Sequence, residues 1–236
     1  MADDDEVSPG GSPILRHAMV EPAADHVAHA DDERIADHLA RVLGGSGNVF
    51  HELVSDRLHI DVHMVPPSPT RPFIVLVTSG ASALPMHMPA EMEEPAAWAH
   101  IELAMLLPPT WKLDQAAFAD ERNYWPVRLL KTLARLPHDF GTWLGWGHSI
   151  PNGDPARPYA PGTSLTGAVL IPPFQLGAEF FEVAGEPPLH IFQVLPVTTA
   201  EMEHKLRVGL DGLLERLEAQ DDGIYGPIDP QRRSLV

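Results

Sequence analysis

No cysteine occurs among the 236 residues. A disulfide scaffold, a thiolate zinc site and a cysteine nucleophile are excluded together. Basic residues are scarce as well: 16 Lys and Arg stand against 33 Asp and Glu, a formal net charge of −17. That balance speaks against nucleic-acid binding through a broad basic surface, since phosphate contacts need clustered Lys and Arg. It favours a basic protein partner, because opposite potentials steer encounter, and it also serves plain solubility. No apolar run approaches the ~18 residues needed to span a bilayer, so no membrane partner is expected. The opening "MADDDEVSPGGSP" lacks the basic and apolar regions of a signal peptide. A cytoplasmic protein is the expectation. Catalytic signatures are missing too: there is no phosphate-cradling glycine loop, no Gly-x-Ser-x-Gly elbow and no Ser-x-x-Lys pair. "HELVS" at His51 lacks the second histidine of a zinc-protease motif, and "TSGAS" around Ser79 has no base marked for its serine.

Hydrophobic residues make up 44% of the chain, enough for one good-sized core. Residues 1–13 read as a disordered acidic tail and 14–236 as a single domain. "DDERIADHLARVLGG" predicts a helix with Ile35, Leu39 and Val42 as its stripe and Gly44 at its end. "RLHIDVHMV" alternates as a strand, with Leu58, Ile60, Val62 and Met64 on one side. "PFIVLVTSG" reads as a central strand and "AHIELAMLLPP" as a further alternating one. "YWPVRLLKTLARLP" predicts a helix with Pro126 in its first turn and Pro137 as its stop. "SLTGAVLIPP", "AEFFEV" and "LHIFQVLPV" supply three more strands. Thr198 and Glu201 form a capping box for a last helix, whose face holds Met202, Leu206, Leu210, Leu213, Leu214 and Leu217. The sum is an α+β fold: a central mixed, mostly antiparallel sheet packed with helices.

Two stretches carry candidate chemistry. Strand periodicity sets His59, Asp61 and His63 on one face, roughly 6.5 to 7 Å apart. Imidazole and carboxylate at that spacing suit zinc or iron, although further ligands would have to come from elsewhere. The competing reading is a polar strand face with no metal and no cofactor at all. "TWLGWGHSIPNGDP" is the second. Trp143 and Trp146 combine large apolar area with a single donor, which suits a binding surface or a core plug. Asn152 and Asp154 bring turn chemistry, and His148 stands between the two groups.

The order of "HELVSDRLHIDVHMVPPSPTRPFIVLVTSGASALPM", "LLPPTWKLD", "YWPVRLLKTLARLPHDFGTWLGWGHSIPNGDP" and "LTGAVLIPP" resembles the Suppressor of fused domain family. The resemblance runs from about Val49 to about Leu217. The family pattern includes His59-Ile60-Asp61 but does not require His63. In animals the family member is a cytoplasmic regulator that binds and restrains a zinc-finger transcription factor, clamping it between two domains. The second domain has no counterpart here. Bacterial single-domain members are proposed to be immunity proteins of polymorphic toxin systems, and the Ala, Pro, Asp and Arg bias fits such a source. The resemblance implies a non-enzymatic protein-binding module that neutralises a toxin by binding it, and the acidic charge suits a basic toxin domain. Trp143, Trp146, His148, Asn152 and Asp154 are the candidate partner surface. Two alternatives stay open: a metal-dependent hydrolase using His59, Asp61 and His63, and a regulator that captures a peptide by strand addition.

Overall fold

The computed structural model describes residues 6–20, 32–52, 58–221 and 223–236. Its helices are α1 (Asp32–Leu43), α2 (Glu121–Phe140), α3 (Ala178–Phe181) and α4 (Thr199–Glu218). Its strands are β1 (Asn48–Phe50), β2 (Asp61–Val65), β3 (Ile74–Ser79), β4 (Ile101–Leu107), β5 (Ser149–Pro151), β6 (Leu165–Ile171), β7 (Glu182–Val183) and β8 (Leu189–Thr198). They form one sheet in the order β1-β2-β3-β4-β8-β6-β5, with β7 beside the start of β8. Among the described strands only the β4–β8 pair is parallel; the other pairs are antiparallel. The expected mixed, mostly antiparallel sheet is what the chain builds.

Alternation along the strands decides which helix covers which face. Ile60, Val62, Leu76, Leu103 and Met105 meet Trp125, Leu130 and Leu133 of α2 on one side. On the other, Val75, Val77, Leu106 and Ile191 receive Ile35 and Leu39 of α1. Farther along that side, Val169, Leu195 and Val197 receive Met202, Leu213 and Leu217 of α4. Burying a leucine such as Leu39 or Leu130 completely is worth roughly 1.5–3 kcal/mol. Among the described residues no helix is long and apolar enough to cross a membrane.

Four local expectations come out differently. The first concerns α2, which starts at Glu121 behind the N-cap Asp120, whose carboxylate accepts the Arg122 amide. Pro126 therefore lies in the helix interior at the cost of one ladder bond. Nor does Pro137 stop the helix, which runs on to Phe140; the amides of Gly141 and Thr142 then close on Pro137 O. Second, "AEFFEV" is not one strand but the turn of α3 followed by β7. The turn places Phe180 wholly in the α1-side core while Phe181 packs against the α2-side core, and the Phe180 carbonyl meets His38 Nε2 at 3.1 Å. Third, the capping box on α4 forms as read, the Thr198 amide donating to Glu201 Oε2 at 2.8 Å, but Gly209 breaks the helix with φ 84 and ψ −179.

The fourth difference is the N-terminus. Residues 1–5 of the expected tail lie outside the described residues, whereas 6–13 form part of a hairpin. Ile14 N donates to Glu6 O at 2.7 Å, Ser8 N to Ser12 O at 2.8 Å, and Arg16 pairs with Glu6 at 2.9 Å. The Ser and Gly residues that read as disorder serve here as turn chemistry.

Candidate functional site

The stretch 142–155 leaves α2, returns to the sheet as β5 and turns at "PNGDP". Backbone bonds hold it on both sides. Thr142 O accepts the His87 amide at 3.1 Å, Gly147 N donates to Leu170 O at 2.8 Å, and Leu170 N donates to His148 O at 2.9 Å. The loop is thereby a continuation of the sheet rather than a free excursion.

The two tryptophans separate. Trp143 is half-buried against the α2-side core, and its ring meets the His148 ring edge-on at 4.3 Å. Trp146 is 59% exposed. Burial, and then the charge of Lys205, pushes the His148 imidazole down to about 4, so it is neutral at ordinary pH. Lys205 is itself buried and donates to Ser149 Oγ at 3.2 Å; burial lowers its pKa. Asn152 ties the loop to its surroundings, donating from Nδ2 to Arg157 O at 2.7 Å and from its backbone amide to Thr166 O of β6 at 2.8 Å. Asp154 is exposed and close enough to Arg16 to raise its pKa, after the larger effect of Glu6. Of the five candidate residues, Trp146 and Asp154 face outward. Trp143, His148 and Asn152 are half-buried.

His59, Asp61 and His63 share a face as expected, but they do not converge on one point. Asp61 is buried, and both its oxygens are engaged. Oδ2 meets His51 Nδ1 at 2.7 Å, while Oδ1 meets His59 Nε2 at 2.8 Å and the Glu52 amide at 2.8 Å. Burial opposes ionisation of Asp61, yet these donors outweigh it and hold the carboxyl below its usual range. His63 turns to Ser79, with Nε2 at 3.2 Å from Oγ. Among the described residues no three His, Cys, Asp or Glu side chains gather as metal ligands. The Ser79–His63 pair is a contact that "TSGAS" did not disclose. Both residues are buried, so a substrate would reach Ser79 Oγ only if the sheet face opened.

Glu102 was also missed. Its alternation in "HIELAM" gives no warning, yet it is 0% exposed. Oε1 accepts from Gly80 N at 2.9 Å, Ser82 N at 2.9 Å and Ser82 Oγ at 2.7 Å, and Oε2 accepts from Thr78 Oγ1 at 2.6 Å. Burial pushes its pKa up against these four donors. The residue ties the "TSGAS" turn to β4, a structural role.

Comparison with known proteins agrees with this architecture. The chain is similar in structure to a SUFU homolog from Neisseria gonorrhoeae, at 18% identity and a TM-score of 0.62, over 87% of this chain and 96% of that one. A chain of the Sufu–Fu complex matches at 19% identity and a TM-score of 0.58, over 87% and 92%. Drosophila Suppressor of Fused matches at 17% identity and a TM-score of 0.59, over 89% of this chain but only 52% of its own length. These identities establish a shared fold. No curated protein matches the chain in sequence. The family model described as Suppressor of fused protein (SUFU) matches residues 56–233, about three quarters of the sequence. The chain therefore belongs to the Suppressor of fused family.

Proposed function

We propose that this protein is a non-enzymatic protein-binding module, and that it acts as an immunity protein which neutralises a toxin by occupying it. The observation that carries the binding surface is Trp146: a large apolar side chain held 59% exposed on a loop stitched into the sheet. Tryptophan fixed in this way loses little entropy on binding and is a frequent interface anchor. Asp154 and the net charge of −17 favour a partner with a basic face. One of the structurally similar chains occurs in a complex, Sufu with Fu, which supports the binding class. The toxin as partner rests on the family resemblance alone. Affinity capture against the products of adjacent genes tests the reading: a toxin or secreted effector should be retained, and retention should fall with Trp146→Ala. Absence of any such neighbour, or retention by none, counts against the immunity role.

A second reading is favoured by the position of β5. It is the terminal strand of the sheet beside Trp146, so an extended peptide could add to it. Its outward edge is short, and Pro151 brings no donor, which limits any added ladder to a residue or two.

A further inference from the structure

The break in α4 and the N-terminal hairpin are built around each other. At Gly209 the chain leaves helical geometry with φ 84 and ψ −179, a conformation that other L residues resist. The hairpin fits its backbone against that break. Gly10 N donates to Leu206 O at 2.7 Å, and a Cβ on Gly10 would lie 2.9 Å from both Arg207 C and Gly209 N. No side chain fits there. On the far side of the break, Leu210 reaches the candidate loop, where a Cβ on Gly147 would stand 2.9 Å from Leu210 Cδ2. Gly147 precedes His148 and follows Trp146, and its amide is one of the bonds that hold the loop to β6.

The hairpin and the residues after it are lightly held. Among the described residues three hydrogen bonds attach 6–20 to the body: Gly10 N to Leu206 O, His17 Nε2 with Thr142 Oγ1 at 3.2 Å, and Val20 N to Asp139 O at 2.9 Å. Of this segment only Ser8 is buried, and Met19 is 74% exposed. Segments with few buried contacts open far more readily than the core. Two of the attachments lie at the candidate stretch or the end of α2 just before it.

We propose that residues 6–20 are a releasable strap that stabilises the break in α4 and, through Leu210, fixes the loop that presents Trp146. With the strap seated, α4 stays broken and Leu210 stays against Gly147. With it released, Leu206 O loses its Gly10 donor and α4 favours a continuous helix, which draws Leu210 away. The broken and continuous forms of α4 are the two states such coupling requires. Linkage makes the effect reciprocal, so a partner engaged at Trp146 holds the strap down. The functional consequence rests on reading the loop as the partner surface; the coupling itself does not.

Hydrogen exchange on the full chain, without a partner, tests the coupling. Gly10→Ala unseats the hairpin by steric clash, and Gly209→Ala penalises the break directly. Both variants should raise exchange at the Gly147 and Leu170 amides by about tenfold or more, while Leu76 and Leu103 amides in the core stay at wild-type rates. Unchanged exchange at Gly147 in both variants overturns the proposal, whether or not the Ile14 and Val20 amides of the strap speed up. A loop that loosens while Trp146→Ala leaves partner affinity intact would instead leave the coupling standing and remove the partner-surface reading.

Discussion

The ring of Trp143 meets the ring of His148 edge-on at 4.3 Å, and this contact separates the supporting side of the loop from its outward side. A half-buried indole against the main core contributes stability, not recognition. Trp143→Ala should lower the unfolding free energy by roughly 2–3 kcal/mol through lost burial and the gap it leaves. Denaturant titration reads this directly, and a change below about 0.5 kcal/mol would place Trp143 outside the core.

Acid should loosen the same contact. His148 titrates near 4 in the folded protein instead of at its ordinary 6.5, so the fold favours the neutral ring. Its contribution is complete above pH 6.5 and is lost as the pH falls from there toward 4, with an upper bound of about 3 kcal/mol. Burial lowers His38 and His190 as well, so the comparison has to be made against His148→Phe. The wild type should lose more stability than that variant between pH 7 and pH 4.5. Parallel stability curves would contradict the assignment.

Glu102 predicts a contrast between two substitutions. Gln keeps an oxygen for the three donors on Oε1 and carries no charge to bury, so Glu102→Gln should cost about 1 kcal/mol or less. Glu102→Ala leaves the Gly80 and Ser82 amides without an acceptor and should cost about 3 kcal/mol. Equal denaturant midpoints for the two variants would show that the four hydrogen bonds do not hold the turn.

Asp61 collects His51, His59 and the Glu52 amide around one buried carboxylate. Asp61→Ala should destabilise by roughly 3 kcal/mol, because the amide and imidazoles lose a shared acceptor. Its carboxyl titrates below the usual 3.8, so this contribution is present above that pH and fades only as the pH falls below it. Acid unfolding of the wild type should therefore show a further loss below pH 4 that Asp61→Asn lacks. A wild type that tracks the variant there would remove the carboxylate from the account.

Local chemistry was legible in the sequence and long-range chemistry was not. The capping box on α4 needs only Thr198 and Glu201, three residues apart, and formed as read. The break at Gly209 depends on Gly10, about two hundred residues away, and a lone glycine in a helical pattern gives no hint of it. The sides of β2 followed from alternation, yet the burial of Asp61 and the pairing of His63 with Ser79 required the register to β3. Glu102 sat in an alternating strand where a charged residue reads as solvated; its donors come from a turn some twenty residues earlier. In the loop, the letters of Trp143 and Trp146 are identical. Only the fit against the core and His148 tells them apart.

The central claim, that the loop presents Trp146 to a protein partner, is tested most directly by one paired measurement on Trp146→Ala. Affinity for the captured partner and the melting temperature are read on the same preparation. The account predicts at least a tenfold weaker Kd, about 1.4 kcal/mol or more, with the melting temperature changed by no more than about 2 °C. An unchanged Kd together with a large fall in melting temperature would return Trp146 to the fold and contradict the claim.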